Sequence, residues 1–219
     1  RFPGFMNNSL LSLLSELVPT PRCHFLASAY TPWTLRSTSS SSASSSSSLS
    51  SATRRKTSVH DVMRRLLDPS NLTVSASLLH QHKHKAGAFV AALNVIQGHD
   101  IDPAQIHKGL QCIRDMESVR FVPWAPPSIQ VALARCSPYV KHHHRVSGLM
   151  LANHTAIAHV FAQICREYDK MRAKKANLNH FQKQGGLFAD GLAEFDESRD
   201  LVATLIDEYR ESATESYLA

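Results

Sequence analysis

The sequence predicts an α/β fold: a small mixed β-sheet flanked by helices, followed by a C-terminal helical hairpin. Three observations predict it. Apolar runs of strand length, Ala88–Gln97, Ser128–Ala134 and Val146–Ala152, alternate with stretches whose apolar residues recur at helical spacing. After Ala152 no strand-like run follows, and the pattern turns helical to the end. The 219 residues are 43 % hydrophobic, enough to build a core against which such layers pack.

The elements follow in order. Leu10, Leu13, Leu14 and Leu17 predict a short helix closed by Pro19, and Cys23–Tyr30 reads as a strand. Between Ser37 and Ser51 twelve of fifteen residues are serine. Such a tract buries too little apolar surface to offset the entropy of ordering, so residues 37–53 are expected to form a disordered loop. Val59, Val62, Met63, Leu66 and Leu67 then share one side of a helix that Asp68-Pro69 ends. Leu72–Ser77 is a candidate strand. Ala88–Gln97 is a better one, apolar enough to be buried on both faces.

Asp102 followed by Pro103 is a helix start: an acid to cap free N–H groups, then a proline where its missing N–H costs nothing. Ile106, Leu110 and Ile113 form that helix's buried side. Phe121–Pro127 is a proline-rich extended linker. Val146–Ala152 is the last strand, and Asn153-His154-Thr155 supplies a turn and a helix N-cap. Ile157, Val160, Phe161, Ile164, Tyr168 and Met171 predict a single apolar stripe on the helix that follows. Asp196 is expected to open the final helix, with Leu201, Val202, Leu205, Ile206 and Tyr209 on its apolar face.

Charge and cysteine usage narrow the function classes. The net charge is +6, yet residues 190–219 hold nine of the eighteen acids. A basic body with an acidic final helix suggests two faces with different partners, or simply two differently charged surfaces. The four cysteines form no CxxC pair, so neither a disulfide framework nor a zinc signature is present; this usage suits a reducing compartment. No apolar run approaches the roughly 20 residues that span a bilayer, and membrane insertion is not expected.

Thirteen histidines raise a metal hypothesis, with His80, His82 and His84 alternating and His142, His143 and His144 in a run. Both clusters sit in predicted loops among lysines and arginines, without a nearby acid to orient the rings, and no metal site is assigned. No GxSxG elbow is present, and most serines lie in the mobile tract, where a nucleophile cannot be preorganised. Arg54, Arg55 and Lys56, with Arg64 and Arg65, form a basic segment. It lacks the interleaved aromatics that stack bases, so nucleic acid is not the expected partner; an acidic protein surface, or solvent alone, is.

The wording of several segments goes further. Val146–Ala152, Asn153, His154 and Thr155, then Cys165, Arg166, Tyr168, Asp169, Lys170 and Arg172, closely resemble gamma-tubulin. The likeness continues, in order, through Phe5, Met6, Asn7 and Asn8, through Leu17–Arg22, Asp61–Leu67, Leu93–Gly98, Phe121–Trp124 and Ser128–Leu133, and through Leu205–Tyr209. Asp61–Leu67 and Ser147–Met150 favour the gamma class over alpha or beta. The resemblance implies the tubulin intermediate domain over residues 1–153 and the C-terminal helical domain over 154–219. The N-terminal GTP-binding domain is expected to be absent, because no glycine-rich phosphate loop occurs.

By resemblance the whole protein binds GTP, joins gamma-tubulin complex proteins and neighbouring gamma-tubulins, and templates growth from alpha/beta-tubulin dimers. It would act in the cytoplasm and cytoskeleton, at a microtubule organising centre such as a centrosome or spindle pole body. No cofactor is expected for this half alone, no catalytic residue is assigned, and the chain is not expected to be an enzyme. The loop with Phe5, Met6, Asn7 and Asn8 resembles the one that meets the next subunit's nucleotide. The basic segment 54–56, with Arg64 and Arg65, follows the loop that makes lateral contacts. Ser9 stands where the family usually has aspartate. Ser12 stands where alpha-tubulin has its hydrolysis-promoting glutamate, and Glu16 is expected at the surface. The alternatives are a metal-dependent hydrolase using the histidine-rich loops and a non-functional truncated fragment with an exposed apolar face.

Overall fold

The structure, a computed structural model, describes residues 9–32, 58–68, 71–73, 87–98, 101–116, 119–136, 139, 144–175, 178–184 and 193–218. Its elements are α1 (Leu10–Leu17), β1 (Leu26–Thr31), α2 (Val59–Leu66), β2 (Phe89–Gly98), α3 (Pro103–Arg114), β3 (Ile129–Ala134), β4 (Val146–His154), α4 (Ile157–Ala173), α5 (Leu178–Gln184) and α6 (Ala193–Glu211), closed by a 3-10 turn, Glu215–Leu218. The α/β class expected from the sequence is the one observed.

One four-stranded sheet has the order β1-β4-β2-β3. β2 and β3 run parallel, joined by the α3 crossover, and the other pairs are antiparallel. The register places Met150 opposite both Ala29 and Asn94. Those strands carry their small and branched residues to one face, where α2 and α3 cover them. Val59, Val62, Met63 and Leu66 of α2 and Ile113 of α3 bury against Ala29, Ala92, Ile96, Val146, Met150 and Ala152. The fit needs Gly148, because a Cβ there would lie 2.7 Å from Val62 and 2.8 Å from Leu66.

The helix starts follow local chemistry. Ser9 caps α1 by accepting from Ser12 N at 3.2 Å, so serine does here what an aspartate would do. Ser58 caps α2 through Asp61 N, and Asp102 caps α3 through Ala104 N at 2.9 Å, with Pro103 at the first position as expected. β2 is buried on both faces through Asn94, again as expected. The linker after α3 lies extended along the start of β2, Phe89 pairing with Phe121 and Val122 N donating to Phe89 O.

Several expectations need correction. β1 begins at Leu26 rather than Cys23, because Asn153 and Tyr209 hold the preceding segment: Cys23 O accepts from Asn153 Nδ2 at 2.6 Å and Phe25 N donates to Tyr209 Oη at 2.9 Å. β4 continues through Asn153 and His154, and no side chain of the 153–155 segment caps α4. α6 opens at Ala193, three residues before Asp196, whose carboxylate pairs with Arg172 instead.

The stripe on α4 is rotated from the expected one. Ile157, Ala158, Phe161, Ala162 and Cys165 pack toward α6, whereas Ile164 and Met171 stay more than half exposed. Glu16 is half-buried, not a surface residue; Gln130, its amide turned to donate, reaches the two carboxylate oxygens at 2.6 and 3.1 Å. Of the candidate strand Leu72–Ser77, Leu72 bridges Ala29 and Thr73 N donates to Ser28 O, while residues 74–77 lie outside the described ones. The serine tract also lies outside them.

Candidate functional site

Two features of the described residues have the chemistry of packing surfaces, and none has the chemistry of a reaction centre. The first is the sheet face opposite α2 and α3. α1 covers part of it, Leu17 and Leu13 resting on Ala91, Leu93, Val95 and Ala132. The Glu16–Gln130 contact sets α1 toward the β3 side. Among the described residues no element covers the β4–β1 half of that face. Leu26, Tyr30 and Leu149 lie there at 37 %, 40 % and 38 % exposure. Strand register puts all three on one face, since Tyr30 pairs with Leu149 and Leu26 with Asn153. Leu10, Leu11 and Leu14 on α1 are exposed too. An apolar area of this kind, contributed by a helix and two strands, is a surface that gains from being covered.

The second feature is the junction that locks the helical hairpin to the sheet. Asn153 is fully buried and its amide donates to Leu17 O at 3.0 Å and Cys23 O at 2.6 Å, tying α1 and the loop after it to β4. Thr155 Oγ1 accepts from Ala88 N at 2.8 Å, and Thr155 N donates to Ala88 O. His154 stands edge-on to Phe89, ring centroids 4.4 Å apart, and burial pushes its pKa down to about 4.

Beside this junction Tyr209 and Cys23 are fully buried, and Trp124 Nε1 donates to Ser212 O at 2.7 Å. Tyr217 in the closing 3-10 turn packs on Trp124 at 5.2 Å and donates to Glu208 at 2.6 Å. Burial holds both Tyr209 and Tyr217 up at about 12, and burial also pushes the Cys23 thiol up. A buried thiol held protonated is no nucleophile, and tyrosines pinned as neutral hydroxyls serve as struts.

Of the interaction residues singled out from the sequence, Arg64 and Arg65 are described. They project to solvent from the last turn of α2, where positive charge also complements the helix dipole. Phe5, Met6, Asn7, Asn8, Arg54, Arg55 and Lys56 lie outside the described residues, as do His80, His82, His84, His142 and His143. Among the described residues no group of three or more His, Cys, Asp or Glu is placed to hold a metal ion, and no helix is long and apolar enough to cross a membrane.

Sequence reasoning missed the anchoring role of Asn153 and the Trp124–Tyr217 contact. An asparagine ending an otherwise apolar strand was the available signal for the first, because a buried amide must find partners. The second joins residues 93 positions apart and left no local signal.

The model for the Tubulin C-terminal domain matches residues 21–166. That span runs from the loop before β1, through the whole sheet, into α4, and it includes the open face, the 153–155 junction and both helices on the covered face. It is well over half of the chain. The chain therefore belongs to the tubulin C-terminal domain family, and with it to the cytoskeletal tubulins.

Proposed function

We propose that this chain is the second half of a gamma-tubulin, acting in microtubule nucleation as a structural subunit rather than an enzyme. The observation that carries the class is the wording of three segments. Asp61–Leu67 lies at α2, Ser147–His154 in β4 and Cys165–Lys170 in α4. All three resemble gamma-tubulin, and Asp61–Leu67 and Ser147–Met150 favour the gamma class over alpha or beta.

In this reading function is geometric. A row of subunits presents pre-spaced surfaces, so the first turn of a tubule forms without each dimer losing its freedom separately. Residues 31–57 and the basic residues Arg54, Arg55, Lys56, Arg64 and Arg65 serve the lateral contact. Phe5, Met6, Asn7, Asn8 and α1 serve the longitudinal one, and α4 with α6 forms the outer ridge of a helical domain spanning 154–219. The open face of Leu26, Tyr30 and Leu149 is the seat of a GTP-binding half, so nucleotide would act through that partner and not through a pocket in this chain. Partners are gamma-tubulin complex proteins, neighbouring gamma-tubulins and alpha/beta-tubulin dimers, at a microtubule organising centre.

The test is association of the purified chain with a gamma-tubulin complex protein, with and without a chelator. A one-to-one complex that survives the chelator is the expected result. No complex, together with stoichiometric zinc retained by the chain, would overturn the assembly reading in favour of a metal-dependent hydrolase.

A further inference from the structure

We propose that His154 is an acid-releasable latch: its neutral imidazole holds the turn between β4 and α4 closed, and protonation loosens the helical hairpin from the sheet. The geometry gives the ring one job that only the neutral form can do. His154 Nδ1 accepts a hydrogen bond from Ala156 N at 3.1 Å. A protonated imidazole carries hydrogens on both nitrogens, so Nδ1–H would face Ala156 N–H, donor against donor.

Space for an alternative is small. At Gly87 a Cβ would come within 2.8 Å of the His154 ring, 2.7 Å of Ala156 N and 2.9 Å of Thr155 Oγ1, so the strand backbone abuts the turn directly. Phe89 presses on another side of the ring. The turn sits where three tethers converge: Asn153 to Leu17 and Cys23, Thr155 to Ala88, and Ala158 N to Thr155 O at the start of α4. Breaking its centre affects all three.

The neighbours reinforce the neutral state. α4 contributes His159, whose charge opposes a second cation. The segment before β2 contributes Gly87 and β2 contributes Phe89, both uncharged, and β1 faces this end of β4 with Leu26 opposite Asn153. No carboxylate among the described residues is near enough to act on the ring. Burial first, then His159, hold it at about 4, below the ordinary 6.5. A histidine depressed in the closed state contributes stability that is complete above 6.5. That contribution is lost as pH falls, by about tenfold in the closed-to-open ratio per pH unit between 6.5 and 4, and no further below.

Hydrogen exchange of the full chain from pH 7.5 to 4.5, corrected for intrinsic rates, reads this directly. His154→Asn is the comparison, because its Oδ1 accepts at a reach like that of Nδ1 and does not titrate. The expected result is that protection at Ala156 and the first turn of α4 falls about tenfold per unit below 6.5 relative to β2, and that the variant removes this slope. The same slope in both chains would overturn the latch. Should the variant fail to fold, the ring resonances of His154 in the native chain decide: a titration midpoint near 4 supports the latch, and one near 6.5 overturns it.

Discussion

Asn153, Asn94 and Tyr209 show three different fates of a buried polar side chain. Asn153 donates to two carbonyls 3.0 and 2.6 Å away, so Asn153→Ala would strip partners from both. We expect the variant to lose about 1–3 kcal/mol in urea unfolding, with the α1 amides the first to exchange. Asn94 is equally buried, but among the described residues neither atom of its amide has a hydrogen-bond partner. Replacing an unpaired buried amide by a similar-sized apolar group forfeits nothing, so Asn94→Leu should leave the thermal midpoint unchanged or raise it. A clear drop would mean the amide is satisfied. Tyr209→Phe deletes the acceptor for Phe25 N and should cost about 1–3 kcal/mol, despite removing a single oxygen.

At the scale of elements, α2 meets the sheet across Gly148, where no side chain fits beneath Val62 and Leu66. Gly148→Ala should therefore destabilise by about 1–3 kcal/mol, whereas a strand glycine in open space would gain from the same change. By contrast the Arg172–Asp196 and Arg199–Asp169 pairs between α4 and α6 lie in partly exposed positions. Arg172→Ala should cost under about 1 kcal/mol, less in high salt.

Much at this scale was legible in the sequence. α2, β2, β3 and the Asp102-Pro103 start of α3 follow from patterns contained in a dozen residues. The β1 start and the α4 stripe were not, for one shared reason. Cys23 reads as strand and Ile164 as core by local pattern, but Tyr209 from the far end of the chain claims the segment around Cys23. α6 likewise selects which side of α4 is buried. Partners that lie in another element of the chain are invisible to a local period. The capping role expected of Asn153 and Thr155 failed likewise, their side chains being drawn to Leu17, Cys23 and Ala88.

For the whole molecule, the covered and open faces of one sheet tell different stories. Under α2 and α3 the sheet buries Ala29, Ala92, Ile96, Met150 and Ala152. On the β4–β1 half of the other face Leu26, Tyr30 and Leu149 remain more than a third exposed. The sequence's resemblance anticipated an open apolar face; which residues form it required the strand register. Of the interaction residues named from the sequence, Arg64 and Arg65 are placed on α2, and the rest fall outside the described residues. The central claim is that this domain works as half of an assembly subunit, seated against a GTP-binding half through that face. Hydroxyl-radical footprinting of Tyr30, Leu26 and Leu149, with and without the GTP-loaded N-terminal half of a gamma-tubulin, tests it most directly. We predict strong protection of all three on addition, while exposed Leu201 on α6 stays unchanged; equal labelling of the three in both samples would contradict it.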